Sequence, residues 1–597
     1  MKGAPAASTT PDGCVDARGL GRRLSNTPVR DVLRGRITGR LDTEWVVGRE
    51  GLPARTEALV LEVVRRTRLW RGEQVDVARE LAAHFRDAFN AGSGEMEAIE
   101  GFGDAATAAK LIRRATRRKR PLAWKIWVRA WACLGLVLLA AAAWTGWRAA
   151  WYSWGEPTIS RNYLAELNAE ILKTPEGERA WPVYREALIA LGNLGAPPLT
   201  GRTEEPDLWT LADEHPLWIS VGQYLAAAEP AFERLSLAES KSDMGYLMRT
   251  GTDPLVGAAT EGLLGRAAVP EEFESAEQEE NPALVGVLLP HLSLMRMTTN
   301  ILSDIEVPAA VRAGDAPRVE RAVSAQLSMA RHLCGCPTLI DRLVGVSLCA
   351  RAAGTLNRTL AEAPGLLDES SLVRLAHRLS IVRVDRSLRM ERLMGQDVVQ
   401  RAYTDDGNGD GVVTRRLAAF GFSDDPKNQP GFSPMAPGRR EVQDGVDRYY
   451  RLAQEHLLGA TNKTEFKRQI RDLLDARGRF RNPVLGGVAV SVERARESFD
   501  RGEMLRDAAL LAIGAEVYRR RHGAYPDDVR ASIPDLLPGA PADRLRDPPA
   551  PLRVVVCDGV LTVYSVGDDG IDDGGVFRSV DPRSTKPPDL RLWPVAD

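Results

Sequence analysis

Two acidic, glycine-rich stretches of this chain carry the residues best suited in type and spacing to metal chemistry. In the first, YTDDGNGDGVVT, Asp406, Asn408 and Asp410 fall at positions 1, 3 and 5 of a calcium loop, where alternating side-chain oxygens surround the ion. Gly411 suits the sharp turn at position 6, but Leu417 stands at position 12, where such loops place a glutamate. Two interpretations stay open: a calcium site at these three residues, or an aspartate-rich turn.

The second stretch, YSVGDDGIDDGG, spans Tyr564–Gly575 and contains four aspartates and four glycines behind a short apolar run. Carboxylates this close repel one another unless a cation, backbone amides or basic side chains offset their charge. Calcium would offset it well, because carboxylate oxygens are the ligands that calcium prefers. A metal loop and a bare turn both remain open for this stretch.

No sequence signature of a catalytic site is present. The chain has no HExxH, GxSxG, GxxxxGKS or GxxxxGKT motif, and no GxGxxG between a strand and a helix. Its seven histidines are scattered, and its six cysteines form no CxxC pair. We therefore expect no enzyme, no catalytic residue, no small-molecule substrate and no cofactor other than calcium. Whether Cys334, Cys336 or Cys349 form disulfides stays open.

Length and composition indicate a folded protein of several units. At 597 residues the chain is too long for one hydrophobic core, since single cores stop growing at roughly 300 residues. Its content of 44% hydrophobic and 27% charged residues is ordinary for folded protein. A net charge of -2 gives no overall attraction to nucleic acid, so we expect no nucleic-acid partner.

An apolar stretch predicts one membrane span. AWACLGLVLLAAAAWTGW, Ala130–Trp147, has no formal charge and with its apolar flanks can cross a hydrocarbon layer of about 30 Å. Tryptophans cluster at both ends, as they do at membrane interfaces. The basic run Arg113–Arg120 precedes the span and only Arg148 closely follows it, so the positive-inside rule places the N-terminus in the cytoplasm. We predict a transmembrane helix over residues 128–152.

The cytoplasmic part is predicted to be a small three-helix bundle behind a loose tail. Residues 1–52 show little periodicity, whereas residues 53–120 carry three helical patterns. In one of these patterns Val77, Leu81 and Phe85 share a face. Asp104 is placed to cap the last of the three helices.

The segment ELAAHFRDAFNAGSGEMEAIEGFGDAATAAKLIRR, within residues 53–118, resembles the short helical prefix domain found ahead of membrane segments in bacterial permease subunits and related regulatory membrane proteins. The resemblance implies a cytoplasmic protein-interaction or signalling element without catalytic residues. The matching residues are Glu80, Leu81, His84, Asp87, Phe102, Gly103 and Asp104.

Residues 156–500 are dominated by helical periodicity and predict a large extracytoplasmic helical domain. A stretch near 424–443 has the composition of a linker. Within the domain, Gly314 suits a left-handed helix end, Asp315 the cap of the next helix and Pro317 its first turn. This sequence predicts an antiparallel helix pair.

Residues 501–597 predict a small α+β module. A helix over Leu505–Arg521 is followed by a Tyr-Pro turn and a loop rich in proline and aspartate. Two β-type runs, LRVVVCDG and VLTVYSVG, come next, and the Asp558-Gly559 pair at their junction predicts a hairpin.

This order of helix, loop and hairpin resembles the globular domain of type II secretion major pseudopilins. Three features carry the resemblance: HGAYP (His522–Pro526), the LLP and DP segments of the loop, and VYSVGDDGIDDGG. The final acidic loop of that family often holds calcium, which implies Asp568, Asp569, Asp572 and Asp573 as ligands here. Because the family's N-terminal prepilin cleavage segment is missing, we do not expect assembly into a pseudopilus by the usual route.

These features predict a mainly α protein with a small α+β C-terminal module, held in the bacterial inner membrane by one span with its C-terminal domain extracytoplasmic. The first functional hypothesis is an envelope interaction or scaffold protein, associated with secretion, with protein partners on both sides of the membrane. The second is a transmembrane signalling or regulatory protein whose cytoplasmic bundle binds a partner. The third is an extracytoplasmic hydrolase with an unrecognised site.

Overall fold

Helices make up most of the structure, and the strands of the described residues all lie in the C-terminal part of the chain, as predicted for a mainly α protein with a small α+β module. The computed structural model describes residues 23–199, 206–251, 253–264, 281–420, 432–474, 484–485, 491–528, 541–546, 548–557, 559–567, 569–575 and 589–594. The chain divides into two units, Met1–Ala143 and Trp144–Asp597.

Helix formation in the first unit begins earlier than the sequence predicts. Asp42 accepts hydrogen bonds from the amides of Glu44 and Trp45 and caps a helix that lies within the predicted loose tail of residues 1–52. Val47 of this helix is fully buried. The helices of the unit are α1 (Val29–Val32), α2 (Thr43–Gly48), α3 (Ala54–Thr67), α4 (Arg71–Asn90), α5 (Glu95–Phe102), α6 (Ala105–Lys119) and α7 (Leu122–Trp154), which continues into the second unit.

A hydrophobic core of its own joins α2, α3, α4 and α6. Val77, Leu81 and Phe85 of α4 are buried in this core, so the predicted apolar face is confirmed. Asp104 accepts hydrogen bonds from the hydroxyl and the amide of Thr107, which confirms the predicted cap of α6. These two bonds also hold the pKa of Asp104 below its ordinary value.

α7 is long and apolar enough to cross a membrane, by length and composition. Its 33 residues extend about 50 Å at 1.5 Å per residue, more than the ~30 Å of a hydrocarbon layer. None of its most apolar window is buried against protein. The predicted helix over residues 128–152 is therefore present, and it is extended at both ends.

The second unit is a large helical body that carries the small sheet. Its helices are α8 (Tyr163–Ile171), α9 (Trp181–Asn193), α10 (Leu217–Leu237), α11 (Pro254–Leu264), α12 (Pro290–Ile301), α13 (Val307–Arg312), α14 (Ala316–Cys334), α15 (Leu339–Glu362), α16 (Glu369–Ser380), α17 (Arg389–Ala402), α18 (Arg439–Leu457), α19 (Lys463–Leu474) and α20 (Val492–His522). A π-helical turn, Leu302–Glu306, joins α12 to α13.

The helix junction predicted around residue 314 is confirmed. Gly314 has a φ of 67°, in the left-handed region where glycine is favoured. Asp315 accepts a hydrogen bond from the amide of Arg318 at 3.1 Å, and Pro317 lies in the first turn of α14. Because α13 packs back on α14, the two helices form the expected pair.

The C-terminal sheet has the predicted hairpin at its centre. Its strands are β1 (Ala542–Asp543), β2 (Ala550–Pro551), β3 (Arg553–Cys557), β4 (Val560–Ser565) and β5 (Leu590–Trp593). β1 pairs with β2, and β3, β4 and β5 form an antiparallel sheet in that order. Cys557 pairs with Val560, which leaves a two-residue turn with Gly559 at a φ of 78°.

α20 differs from the predicted helix, Leu505–Arg521, because it begins at Val492. It packs against α15, α16 and α18 and also against β4 and β5. One continuous core therefore includes residues of both predicted modules, 156–500 and 501–597. Of the predicted linker near 424–443, residues 424–431 lie outside the described residues, and α18 begins at Arg439, within the predicted range.

A buried tyrosine–histidine pair links α9 to α14 within this core. The ring of His332 lies 2.8 Å from the Tyr184 hydroxyl through Nδ1 and 3.0 Å from the Lys241 carbonyl oxygen through Nε2. The neutral ring satisfies both partners, accepting from the hydroxyl and donating to the carbonyl. Burial, reinforced by the charge of Arg331, lowers the pKa of His332 to about 4.

We expect stability to fall as the pH falls from 6.5 to about 4, the window between the ordinary pKa of histidine and that of His332. Across this window the unfolded chain binds a proton that the folded His332 excludes. The loss attributable to His332 is about 3 kcal/mol. Chemical denaturation of the full chain in detergent at a series of pH values measures it. The difference in unfolding free energy between the wild type and His332→Gln should narrow toward low pH, and a constant difference would contradict the assignment.

The close approach of the backbones of α9 and α11 leads to a second prediction. A Cβ added to Gly192 would stand 2.3 Å from the Ala259 Cα, so a methyl group there collides with backbone. Gly192→Ala should therefore destabilise the protein by about 1–3 kcal/mol. The matched control is Gly222→Ala in α10, where a Cβ meets nothing within 4 Å. Thermal melting should show a lower midpoint for the first variant, and an unchanged or higher midpoint for the second.

Candidate functional site

The loop after α17 folds as a pair of Asx turns. Asp406 Oδ1 accepts hydrogen bonds from the amides of Asn408 and Asp410, at 2.8 and 3.1 Å. Asp405 Oδ1 accepts from two glycine amides in the same manner, at 2.9 and 3.1 Å. The amide bonds to Asp406 hold its pKa below the ordinary value. Backbone donors thus stabilise the Asp406 carboxylate as an anion, and they hold one oxygen of Asp405 in place.

Two arginines at the start of α18 offset more of this charge. Arg439 Nη1 lies 3.0 Å from Asp405 Oδ2. The Arg440 amide donates to Asp410 Oδ1 at 3.2 Å, and its guanidinium donates to the Asn408 carbonyl at 2.5 Å. Guanidinium groups beside the predicted calcium ligands oppose a cation there. Of the two interpretations left open by the sequence, the geometry favours the aspartate-rich turn.

The C-terminal acidic loop is held differently. Asp572 Oδ1 accepts hydrogen bonds from the Tyr564 hydroxyl and the Gly574 amide, both at 3.0 Å. Arg553 Nε lies 3.1 Å from the other oxygen of Asp572. Asp569 Oδ1 accepts from the amide two residues further on. Asp573 is exposed, and Asp568 lies outside the described residues.

Asp589, just before β5, is a buried carboxylate beside this loop. It is 3% exposed, and its Oδ2 accepts a hydrogen bond from the Gly575 amide at 2.9 Å. Among the described residues its buried Oδ1 has no hydrogen-bond partner within ordinary geometry, although the Asp573 amide, like the Gly575 amide, acts to lower the pKa of Asp589. Burial raises the pKa of Asp589, and the negative charges of Asp572 and Asp573 raise it further. A buried anion without a full set of donors is costly, and a cation would relieve that cost.

The C-terminal loop differs from residues 405–411 in having a buried carboxylate oxygen, Oδ1 of Asp589, that no described residue hydrogen-bonds, although Arg553 pairs with Asp572 there as Arg439 pairs with Asp405. Within the part of the chain that the structure describes, no group of three or more His, Cys, Asp or Glu side chains is arranged to hold a metal ion. The unpartnered Oδ1 of Asp589 is nevertheless an unused anionic ligand, with the carboxylates of Asp572 and Asp573 nearby. Calcium at this loop stays a prediction, with Asp589 as an added ligand.

Comparison with known proteins finds no match. The chain matches no family model, no curated protein and no solved structure. The resemblances to pseudopilins and to the prefix domain stay predictions.

A histidine–aspartate pair lies deep in the helical body. His291 Nε2 is 3.0 Å from Asp341 Oδ1, and the Thr338 hydroxyl donates to the other carboxylate oxygen at 2.5 Å. Such a pair orients the imidazole in catalytic triads. Here the ring is fully buried between Trp181 and Tyr246, where a substrate has no access. The pair therefore supports packing rather than catalysis.

A polar cleft of about 520 Å³ lies between the turn after α18, α20 and the start of the C-terminal sheet. Its charged side chains pair with one another across it. Arg386 lies 2.7 Å from Asp500, and Lys463 lies 2.9 Å from Glu497. The lining holds five basic and three acidic side chains, and the expectation of a protein without catalytic residues stays a prediction.

Sequence reasoning missed the residues that decide between the two loops. Asp589 directly precedes the short apolar run of β5, and only the pairing of Ser565 with Leu590 brings it to the loop. Arg439 and Arg553 are ordinary arginines in the sequence, and their pairing with aspartates depends on folding. The signal available in the sequence was the position of Asp589 directly before the run Leu590–Trp593. An aspartate side chain at such a position can accept hydrogen bonds from nearby backbone amides.

We expect calcium to raise the melting temperature of the full chain, equivalent to about 3 kcal/mol when it exceeds its dissociation constant about a hundredfold. Asp589→Asn keeps the acceptor for the Gly575 amide but removes the charge, and it should abolish the rise. Asp410→Asn is the matched control and should preserve the rise, because Arg440 already offsets that carboxylate. Thermal melting with calcium and with chelator measures both, and a rise that survives Asp589→Asn would reject this site.

Proposed function

We propose that the protein is a single-pass, non-enzymatic interaction or scaffold protein of the bacterial cell envelope, with its helical body and pseudopilin-like module outside the cytoplasm. α7 would span the inner membrane with the N-terminus in the cytoplasm. The outer body would bind a protein partner, and the association with secretion follows from the resemblance of its C-terminal module.

The observation that carries this proposal is the exposure of α7. Its apolar window is 0% buried, whereas the other long helices bury apolar faces in a core. A fully exposed apolar helix of this length is costly in water, since each buried apolar side chain of this kind gains about 1.5–3 kcal/mol. A bilayer supplies the missing apolar environment.

The C-terminal arrangement supports the secretion-related part. The long helix α20 packs against β4 and β5 of an antiparallel sheet, and the acidic loop follows β4 directly. This is the order of elements on which the resemblance to pseudopilins was based. α20 is also embedded in the helical body, which favours a fixed binding module over a subunit that polymerises through this helix.

Labelling with a membrane-impermeant maleimide tests the orientation. Leu33→Cys reports on the first unit and Leu458→Cys on the second, because both side chains are exposed. In bacterial spheroplasts that express the full chain with Cys14, Cys133 and Cys557 replaced by serine, we expect Leu458→Cys to react at once and Leu33→Cys only after permeabilisation. The reverse pattern would contradict the orientation, and recovery of the chain outside the membrane fraction would contradict the proposal.

A second function, signalling or regulation through a cytoplasmic partner, is favoured by one observation. The helices ahead of α7 have a hydrophobic core of their own, so they form a folded element rather than a simple anchor tail. Glu73 and Arg120 reinforce it with a bidentate contact at 2.8 and 2.7 Å. Affinity purification of the full chain and of a chain without residues 1–120 distinguishes the two functions. A partner that is lost with the deletion favours regulation.

A further inference from the structure

The C-terminal turns of α7 are fixed to the chain just ahead of α18. Trp144 Nε1 donates a hydrogen bond to the Pro434 carbonyl oxygen at 3.2 Å. The guanidinium of Arg148, which is only 6% exposed, donates to the Ala436 carbonyl oxygen. We call residues 432–436 the juxtamembrane loop, because two successive turns of the apolar helix hold its backbone.

The far end of the juxtamembrane loop is fixed as well. Arg439 is buried, its amide donates to the Gly411 carbonyl oxygen at 3.0 Å, and its guanidinium pairs with Asp405. On the near side the ring of Phe432 packs against Tyr152 of α7, with ring centroids 5.5 Å apart. The position of the loop along α7 is therefore determined by contacts on both sides.

The tip of the juxtamembrane loop is apolar and uncovered. Met435 is 82% exposed, the same fraction as Trp154 at the end of α7. Phe432 is also exposed, as are Trp144 and Trp147 on the neighbouring surface of the helix. The loop thus extends the exposed apolar surface of α7 sideways.

The contacts with α7 indicate how deep the juxtamembrane loop would lie relative to a bilayer that α7 crosses. Trp144 lies inside the uncharged run Ala130–Trp147, four residues before Arg148, and therefore about 6 Å closer to the bilayer centre if the helix crosses it upright. Tryptophan and arginine at the end of a span mark the interface between hydrocarbon and headgroups. A loop bonded to both residues lies at the level of that interface.

We propose that the juxtamembrane loop inserts into the interfacial layer of the bilayer, with Met435 among the acyl chains beside α7. This inference rests on the proposed crossing of the membrane by α7. The outer body would then contact lipid through a second element in addition to the span. An apolar side chain at the interface gains the burial that the loop lacks in water.

Lipid-borne quenching tests the depth of Met435. Full-length protein in which Cys14, Cys133 and Cys557 are replaced by serine leaves only the buried Cys334, Cys336 and Cys349. A fluorophore is attached at Met435→Cys, and the protein is reconstituted in nanodiscs of phosphatidylethanolamine and phosphatidylglycerol that contain doxyl-labelled lipid. Leu138→Cys, within the span, is the positive control. Leu458→Cys is the aqueous control, because α18 carries it about 28 Å from Arg439.

We expect doxyl lipid to quench the probe at Met435→Cys about threefold more than at Leu458→Cys, and the probe at Leu138→Cys at least as strongly. Quenching at Leu138→Cys without quenching at Met435→Cys would overturn the inference and leave the proposed function intact. Access to aqueous iodide would then show a loop in water, and protection from iodide would show a loop covered by protein. Absence of lipid quenching at Leu138→Cys would overturn both the inference and the membrane crossing.

Discussion

The second unit depends on one helix that must bury its whole circumference. Nine consecutive residues of α20, from Asp507 to Ala515, are buried. Successive helical positions turn by about 100°, so this run faces every direction, toward the helices on one side and the sheet on the other. Such a helix is stable only when each neighbour is in place. The helical body and the C-terminal sheet therefore share one core.

Small side chains and paired charges make this burial feasible. Alanines and Gly514 occupy more than half of the run, which lets backbones approach closely. Earlier in the helix, a Cβ added to Gly502 would stand 2.1 Å from a methyl carbon of Val346, so α15 leaves no room for a larger residue. The buried Asp507 is paired with Arg506 at 2.6 Å, and burial raises the pKa of Asp507 despite that partner. An unpaired charge at this depth would cost several kcal/mol.

Features that depend on neighbouring residues were predictable from the sequence. Features that depend on residues far apart in the chain were not. The caps at Asp104 and Asp315 and the turn at Gly559 depend on neighbouring residues, and each has the expected geometry. By contrast, Leu111, an apolar residue of α6, is 62% exposed, because its burial depends on which helices pack there. The start of α20 was missed although its first turns bury Val492, Ala495 and Phe499 at helical spacing. These few apolar residues stand among many charged ones, so the sequence signal is weak there.

The candidate metal loops show the same difference. The shape of a turn was predictable from nearby residues, and the charges that face the turn were not. Spacing alone suggested Asp406, Asn408 and Asp410, and the spacing does produce the expected tight turn. What spacing could not reveal is that α18 begins with two arginines placed against that turn. At the other loop the deciding residue, Asp589, is brought in by strand pairing. Whether a cation is needed at each loop thus depends on residues outside it.

The chain that follows α7 is packed too closely to let the last turns of the helix rotate independently. A Cβ at Gly155 would stand 2.4 Å from the Trp151 carbonyl oxygen and 3.1 Å from Thr404, so the chain leaves the helix pressed against the loop that follows α17. The amides of Ser160 and Arg161 then donate to a single side-chain oxygen of α17, both at 3.2 Å. Rotation of the last turns of α7 about the helix axis would therefore be transmitted as torque to the rest of the second unit.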